Sequence, residues 1–357
     1  MEFSYLSKNE KCVKKNMDYL NKIQTWLKKN TYNCLNYDNL YDLYCSKKNK
    51  TIAIVMPTLN EESTVQYIIE TIINKMNKDY SVIDEFVLID GDSKDNTIPI
   101  VEKLVQKYDI LKLVHEKDIL SNITTKRGKG NQLWKGLYCS KSDIILYCDS
   151  DLKNFDVQMI YGMIGPLLKE NIQFVKGFYE RPLIINKDVK KSNEGGRVTE
   201  LCARPILNLF YPELSGFIQP LGGEYGGYRN ILENVHYMTG YGVEVNILIE
   251  IYEKYGLNIM GQVDLLKREH RHQNTNALSK MSFIIMNTIL KRQISKPLNA
   301  NLLIKNFSQD NDENFKNNVT GDEIIEDHFM LIKDTHDEML PTIQHIRNSE
   351  NTLLINA

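Results

Sequence analysis

The sequence lacks the features that mark several specialised classes of protein. Its 44 Lys and Arg residues are balanced by 46 Asp and Glu residues, so we expect neither a nucleic-acid partner nor an anionic membrane surface. No apolar run reaches the ~20 residues that span a bilayer, and the N-terminus lacks the basic start and apolar core of a signal peptide. The six cysteines show no C-x-x-C spacing, which argues against a disulfide framework or zinc site and favours reduced thiols in the cytoplasm.

Two nucleotide-binding signatures are missing from the basic glycine loop at 124–131. Lys129 is not followed by Ser or Thr, as a P-loop requires, and the loop lacks the G-x-G-x-x-G spacing of a dinucleotide fingerprint. Gly128 and Gly130 nevertheless let backbone N–H groups and the Lys129 ammonium approach one anion. A solvated turn is the alternative interpretation, but the position of the loop before a pair of aspartates favours contact with a diphosphate.

The patterns that are present predict an α/β protein. Hydrophobic residues make up 42% of the chain and charged residues 25%, as in ordinary globular proteins. Short apolar runs alternate with helical patterns, which predicts right-handed βαβ crossovers and a Rossmann-like, mainly parallel sheet flanked by helices. The predicted strands are 51–56, 86–90, 111–115, 144–148, 174–179 and 260–265.

Polar loops follow three of these strands, at 57–62, 90–97 and 149–151. Because the carboxyl ends of parallel strands lie at one edge of a sheet, the loops should meet there and form a nucleotide site. This expectation does not depend on any single motif. We also expect Pro57 to end the first strand, since proline cannot donate to a strand ladder.

Asp149 and Asp151 follow a buried strand with one residue between them. In extended chain such side chains point to the same side, so both carboxylates could face one divalent cation, directly or through water. A simple turn after the strand is the alternative, because Asp is a common turn residue. The converging loops favour the metal site.

The second half of the chain carries two clusters that suit anions. Gly196, Arg197 and Thr199 lie at a helix start and could clamp a carboxylate or phosphate, although a glycine turn with a surface arginine is the alternative. The strand 260–265 leads into a basic run, 267–273, that contains Arg268 and two histidines. His270 could complete a metal site begun by carboxylates, and His272 adds to the positive charge of the run.

With these residues assembled, the chain resembles the retaining GT-A glycosyltransferases that make glucosyl-3-phosphoglycerate. The resemblance covers roughly residues 50–285. Residues 57–62 and Asp149-Ser150-Asp151 are shared by many nucleotide-sugar transferases, whereas four later motifs are more specific. These are Gly196-Arg197-Val198-Thr199-Glu200-Leu201, Asn208-Leu209-Phe210-Tyr211-Pro212-Glu213-Leu214, Gly216-Phe217-Ile218-Gln219-Pro220-Leu221 and Gly240-Tyr241-Gly242-Val243-Glu244.

The resemblance implies roles for particular residues. Lys129 would meet the diphosphate, Glu244 would bind hydroxyls of the transferred glucose, and Leu221 would present its carbonyl near the reacting centre, so Leu221, Glu244 and Asp151 are the predicted catalytic residues. Asp151 and His270 would bind Mg²⁺ or Mn²⁺. Further nucleotide-sugar contacts are expected from Pro57, Thr58, Leu59, Asn60, Glu61, Asp90, Asp149, Ser150 and Arg268.

The predicted acceptor is 3-phosphoglycerate, held by Gly196, Arg197, Thr199 and His272. The sequence departs from the family at His272, where an Asn is expected, and at Asp92, where a small residue is expected. The predicted donor is UDP-glucose, with GDP-glucose as a second possibility, and a homodimer is expected. The alternatives are another sugar or acceptor (mannose, glycerate), a sugar nucleotidyltransferase, and a non-catalytic nucleotide-sugar sensor.

The predicted organisation has four parts. An N-terminal helical segment, 1–50, precedes a nucleotide-sugar-binding domain, 51–155, and a smaller acceptor-binding α/β part, 156–285. A C-terminal helical extension, 286–357, is expected to contain a helix at 322–333 and a second helix interrupted by Pro341.

Overall fold

A computed structural model of the chain describes residues 8–123, 125–180, 183–186, 189–191, 196–268, 274–294, 302–305, 323–326, 329–332 and 337–355. The strands are β1 Thr31–Asn33, β2 Ile52–Thr58, β3 Glu85–Asp90, β4 Leu111–His115, β5 Ile144–Tyr147, β6 Phe174–Glu180, β7 Leu183–Asn186, β8 Val189–Lys191, β9 Tyr225–Tyr228, β10 Tyr237–Met238, β11 Met260–Lys267, β12 Leu302–Lys305, β13 Glu323–Glu326, β14 Phe329–Ile332 and β15 Met339–Leu340. The helices are α1 Lys8–Asn30, α2 Leu40–Lys47, α3 Val65–Met76, α4 Thr97–Lys107, α5 Lys129–Cys139, α6 Gln158–Lys169, α7 Arg204–Phe210, α8 Arg229–Leu232, α9 Val243–Tyr255, α10 Thr275–Gln293 and the C-terminal helix Ile343–Ile355.

Eight strands form the central sheet, in the order β1-β11-β6-β9-β5-β2-β3-β4. All pairs are parallel except those of β9, which lies antiparallel between β5 and β6. Every residue of β2, β3 and β5 is buried, because helices such as α5 and α6 pack on the sheet. The predicted mainly parallel α/β sheet is therefore confirmed. None of the helices in the described part of the chain is both long and apolar enough to cross a membrane.

The prediction that Pro57 ends the first strand is wrong. Strand β2 continues through Thr58, and Pro57 pairs in register with Ile89 of β3. In a parallel strand the backbone N–H and C=O of one residue point toward the same neighbouring strand. The Pro57 carbonyl accepts from Ser150, so both positions of Pro57 face β5. Since β5 stops at Tyr147, no ladder bond is lost where Pro57 lacks its N–H.

The N-terminal segment is joined to the sheet. Apolar residues spaced three and four apart over 17–29 predict an amphipathic helix, which is confirmed within the longer α1, and β1 then pairs with β11 as the edge strand. The carbonyl of Met260 accepts from Trp26 Nε1 at 2.9 Å and from Asn30 Nδ2 at 2.7 Å. These bonds fix the segment along the strand that leads to Arg268.

The predicted helix at 322–333 is wrong. This region contains β13 and β14, which form an antiparallel three-stranded sheet with β12. Isoleucine and phenylalanine, which favour strands, make up half of each short run. The last helix begins at Ile343, two residues after Pro341, so the C-terminal extension is a mixture of strands and helix.

Candidate active site

The loops after β2, β3 and β5 meet at the carboxyl edge of the sheet, as predicted. The amide of Asn60 donates to Ser93 Oγ at 2.9 Å, which joins the first loop to the second. Ser150 Oγ donates to the Pro57 carbonyl at 2.8 Å, and Thr64 Oγ1 donates to the Ser150 carbonyl at 2.6 Å. The third loop is thus tied to the first, and the edge forms one continuous surface.

A polar cavity of about 260 Å³ opens beside Asp90. Asp90 Oδ2 accepts from the amides of Asp92 and Ser93, at 2.9 and 3.1 Å. Its other oxygen, Oδ1, is buried and has no hydrogen-bond partner among the described residues. Asp92, the departure from the family pattern, forms ion pairs with Lys94 and Arg127 at the cavity mouth. A buried acceptor beside a polar cavity suits the N–H edge of a nucleotide base.

Next to these loops lies a dense group of ionised side chains, which we call the charged cluster. Lys129 Nζ is 2.7 Å from Asp149 Oδ1 and 3.1 Å from Glu244 Oε1. Arg268 Nη2 is 3.1 Å from Asp149 Oδ2 and 3.0 Å from Asp151 Oδ1. Arg268 Nη1 also bonds Glu224 and, at 2.8 Å, the Tyr179 hydroxyl. The cluster consists of Lys129, Asp149, Asp151, Glu224, Glu244 and Arg268.

The two central charges of this cluster are locked. Burial works to lower the pKa of Lys129, but Asp149 and Glu244 outweigh it and hold that pKa well above its ordinary value. Burial works to raise the pKa of Asp149, but Lys129 and Arg268 hold it well below its usual range. Both groups therefore stay charged across the physiological pH range.

The glycines around Lys129 allow two backbone segments to pack closely against each other. A Cβ at Gly128 would lie 2.4 Å from the Thr239 carbonyl oxygen, and one at Gly130 would lie 1.8 Å from that of Met238. Helix α5 can therefore begin directly against β10, and the Asn131 amide donates to the Thr239 carbonyl at 3.2 Å. This close approach places Lys129 near Glu244, which lies in the first turn of α9.

The C-terminal segment contacts both sides of this arrangement, which no sequence pattern predicts. Strand β15 pairs with β10. The Asp337 carboxylate accepts from the Gly242 amide at 2.7 Å, just before α9, and the Glu338 carboxylate accepts from the Lys126 amide at 3.2 Å. Burial raises the pKa of Asp337. The segment thus holds the backbone that precedes Glu244 and Lys129.

A second cavity, of about 560 Å³, lies beside Lys129. Its basic lining includes Lys126, Arg127 and Lys280, and Tyr241 forms part of its wall. Lys280 belongs to α10, and α10 packs against the π-helical turn Thr199–Ala203. The cavity therefore lies between Lys129 and the helix that packs against this turn, and its basic lining suits an anionic ligand.

The predicted acceptor residues occupy the start of that turn. Gly196 has a φ of 78°, a left-handed conformation that glycine adopts at little cost. Arg197 is exposed and Thr199 is buried. Leu221 lies in the loop before β9, where the next residue, Gly222, is hydrogen-bonded to Lys176. His270 and His272 lie outside the described residues.

The structure thus brings together five of the predicted residues: Lys129, Asp149, Asp151, Glu244 and Arg268. Sequence reasoning missed Glu224 and Tyr179, which bind Arg268. Glu224 follows a glycine pair in the dense run 222–227, and that run was a signal for close backbone approach. A Cβ at Gly223 would lie 2.3 Å from Asp149 Oδ2 and 2.6 Å from Lys129 Nζ.

Comparison with known proteins gives one consistent family. A family profile described as Glycosyl transferase family 2 matches residues 53–239. The glucosyl-3-phosphoglycerate synthase of Petrotoga mobilis is 41% identical over 267 residues, which cover 74% of this chain and 80% of that protein. The protein of the same name from Mycolicibacterium smegmatis is 37% identical over 268 residues, which cover 75% and 85% respectively.

Solved structures agree with the sequence relatives. The glucosyl-3-phosphoglycerate synthase of Mycobacterium tuberculosis, in complex with Mn²⁺, UDP and phosphoglyceric acid, has a TM-score of 0.71 at 28% identity, covering 90% of this chain and 99% of that one. The mannosyl-3-phosphoglycerate synthase of Rubrobacter xylanophilus has a TM-score of 0.74 at 29% identity, covering 91% and 98%. These two similar proteins carry names that differ in the sugar.

Proposed function

The chain belongs to the glucosyl-3-phosphoglycerate synthase family, within glycosyl transferase family 2, and we propose that it transfers glucose from UDP-glucose to the 2-hydroxyl of 3-phosphoglycerate with retention of the α configuration. The observation that carries the proposal is Lys129, whose ammonium lies between Asp149 and Glu244 and which lines the basic cavity. A cation at that point can meet a diphosphate while a neighbouring carboxylate meets a sugar. The basic cavity beside Lys129 suits the anionic acceptor.

The carboxylates of the site fit a hard divalent cation. Asp149 and Asp151 each accept from one nitrogen of Arg268, so they already converge on a single positive charge. Within the described residues no three His, Cys, Asp or Glu side chains form a metal-binding group, and the predicted ligand His270 lies outside them. We assign the ion to Asp151 with His270, where Mg²⁺ or Mn²⁺ would act as a Lewis acid toward the departing diphosphate. Structures of the Mycobacterium tuberculosis synthase hold Mn²⁺ or Mg²⁺ with UDP.

The side chains of the site then have separate tasks. The loops after β2 and β3 hold the nucleoside, with the free oxygen of Asp90 facing the base. Lys129 adds positive charge to the leaving diphosphate. Glu244, fixed by Lys129, accepts hydrogen bonds from hydroxyls of the glucose, and the Leu221 carbonyl faces the reacting carbon. Arg197 and Thr199 hold the acceptor close to that carbon.

Retention follows from attack on the face that the diphosphate leaves. Asp149 is bonded by both Lys129 and Arg268, and its lowered pKa makes it a weak nucleophile. We therefore propose no covalent intermediate. The bond from the anomeric carbon to the diphosphate breaks, the bond to the acceptor 2-oxygen forms on the same face, and the acceptor proton passes to the leaving phosphate oxygen.

The reaction can be tested with the full chain, Mg²⁺ and 3-phosphoglycerate. We expect UDP-glucose to yield a phosphorylated glucosylglycerate, detected by mass spectrometry, with an α linkage by NMR. GDP-glucose and GDP-mannose are parallel donors, and plain glycerate is the parallel acceptor. The similarity to a mannosyl-3-phosphoglycerate synthase makes mannose the second candidate sugar. Faster transfer from GDP-mannose than from UDP-glucose would show that mannose is the transferred sugar. If none of these nucleotide sugars yields a product, the proposed function is refuted. The homodimer and the cytoplasmic location stay predictions.

Replacing Arg197 with alanine should chiefly weaken the acceptor. Loss of a charge-assisted hydrogen bond costs ~1.5–3 kcal/mol, so the KM for 3-phosphoglycerate should rise by roughly 10- to 100-fold, while the KM for UDP-glucose stays close to the wild-type value. Steady-state kinetics with each substrate varied separately give the answer. Arg229→Ala is the control, because Arg229 lies far from the site: its backbone amide donates to the Asp143 carbonyl, next to the amino end of β5. A variant that loses kcat with an unchanged acceptor KM would contradict this role.

A further inference from the structure

Lys176 is a buried lysine that contacts the loop 221–223, which precedes β9. It lies in β6, with only 1% of the residue exposed. Its ammonium donates to the Gly222 carbonyl at 2.8 Å and lies 4.6 Å from the centre of the Tyr225 ring. None of the substrate contacts proposed above involves it.

The loop that Lys176 holds borders the charged cluster. Gly222 directly follows Leu221, whose carbonyl is proposed to face the reacting carbon. Gly223 comes next, and its Cα packs so tightly against Asp149 and Lys129 that a Cβ there would clash with both side chains. The Lys176 hydrogen bond therefore fixes the short stretch between Leu221, which presents the carbonyl, and Gly223, which packs against the Asp149–Lys129 ion pair.

This arrangement costs stability. Burial lowers the pKa of Lys176 to about 8, although Glu244, Glu224 and Asp149 raise it and Lys129 lowers it further. Because the pKa is lower in the folded chain than in the unfolded chain, protonated Lys176 disfavours folding below about pH 8, and the penalty shrinks as pH rises above that value. A neutral apolar residue would pack in the same place without this penalty. A buried cation that costs stability beside the reacting centre is typical of a functional site.

We propose that Lys176 is a positioning residue, whose ammonium holds the 221–223 loop so that the Leu221 carbonyl and the Asp149–Lys129 pair keep the geometry needed for glycosyl transfer. The inference rests on the proposed function for the identity of the reaction. The contact itself, from a buried ammonium to the Gly222 carbonyl, is independent of the substrate.

The test compares the full-length wild type with Lys176→Met and a matched control, Lys47→Met. Lys47 is also buried, donates to a backbone carbonyl, that of Ser81, and pairs with Asp84 at the opposite end of the sheet. With UDP-glucose, 3-phosphoglycerate and Mg²⁺, Lys176→Met should lower kcat by roughly 10²-fold, the effect of a small misplacement in an active site. The KM for UDP-glucose should change little, and Lys47→Met should keep the wild-type kcat.

Two further measurements separate positioning from general destabilisation. The kcat of the wild type should fall as pH rises through about 8, because the ammonium loses its proton, and this limb should be absent in Lys176→Met. Hydrogen–deuterium exchange of amides 219–224 should increase in Lys176→Met and stay unchanged in Lys47→Met. Lys176→Gln, whose shorter amide falls short of the Gly222 carbonyl, replaces the Met variant if that variant does not fold, with the same expectations.

A folded Lys176 variant that keeps the wild-type kcat, or whose 219–224 amides exchange as in the wild type, overturns the inference. Failure of the wild type to transfer glucose would refute the proposed function alone. The exchange measurement needs no substrate, so it still decides whether Lys176 orders the loop.

Discussion

Lys129→Met should lower kcat by roughly 10²–10³-fold, as removal of a group aimed at a developing negative charge does in other enzymes. The Lys129 ammonium is the junction of the site, since it joins Asp149 to Glu244 and borders the basic cavity. Without it the leaving diphosphate loses a cation, and two carboxylates repel each other and the substrate. Both substrate binding and transfer should suffer, with the larger loss in transfer.

Lys129→Arg sharpens this experiment. Arginine keeps the charge but replaces a compact ammonium by a planar fork on a differently shaped side chain, so its kcat should lie between those of the wild type and Lys129→Met. Lys112→Met is the control, since it removes a lysine–carboxylate pair of 2.8 Å with Glu85 at the amino end of β3. Steady-state kinetics and thermal unfolding should be measured for all three. Activity of Lys129→Met within a few-fold of the wild type would remove Lys129 from the mechanism.

The residues nearest the strand ends could be identified from the sequence because their geometry is local. Asp149 and Asp151 follow an apolar run directly, and the glycines around Lys129 mark a place of close approach. The parallel sheet then carries such loops to one edge, so the approximate site follows from the strand pattern alone. The glycine loop also identified Lys129 as an anion contact, but its ion pair with Glu244, on another helix, follows from no local pattern, and the sugar-binding role of Glu244 came only from the family resemblance.

The surroundings of Arg268 depend on long-range pairing that no local pattern encodes. Arg268 meets Glu224, Tyr179 and Asp149 only because β9 is inserted antiparallel between β5 and β6. The β9 sequence, Tyr225–Tyr228, contains two glycines and resembles a turn more than a central strand. Lys176 was missed for the same reason, since a lysine inside a predicted strand suggests an exposed face.

The C-terminal error has a similar origin. The sequence pattern of residues 322–333 predicts a helix, yet the region forms two strands, and β14 pairs with both β12 and β13. The contacts of Asp337 and Glu338 with the site come from the pairing of β15 with β10. Such pairing joins segments about 100 residues apart, a distance at which sequence periodicity carries no information.

Asp151→Asn should abolish most metal-supported turnover while leaving the fold intact. Of the two aspartates, Asp151 is the one with freedom to take a new ligand, because 48% of its side chain is exposed and it pairs with Arg268 at 3.0 Å. Asp149 has 17% of its side chain exposed and is held by both Lys129 and Arg268. A Lewis acid contributes several kcal/mol to stabilising the charge of the transition state, so kcat with Mg²⁺ should fall by roughly 10³-fold.

Metal binding gives a readout that does not depend on turnover. Mn²⁺ titrations of the full chain with UDP, followed by electron paramagnetic resonance, should show clearly weaker binding in Asp151→Asn, because the neutral amide is a poorer ligand for a hard cation than a carboxylate. Asp156→Asn is the control: this exposed aspartate lies five residues further on and accepts from the Gln158 amide at 2.8 Å, a bond that asparagine can keep. If Asp151→Asn binds Mn²⁺ as the wild type does and Asp149→Asn does not, the metal ligand is Asp149, and Arg268 rather than the ion holds Asp151 in place.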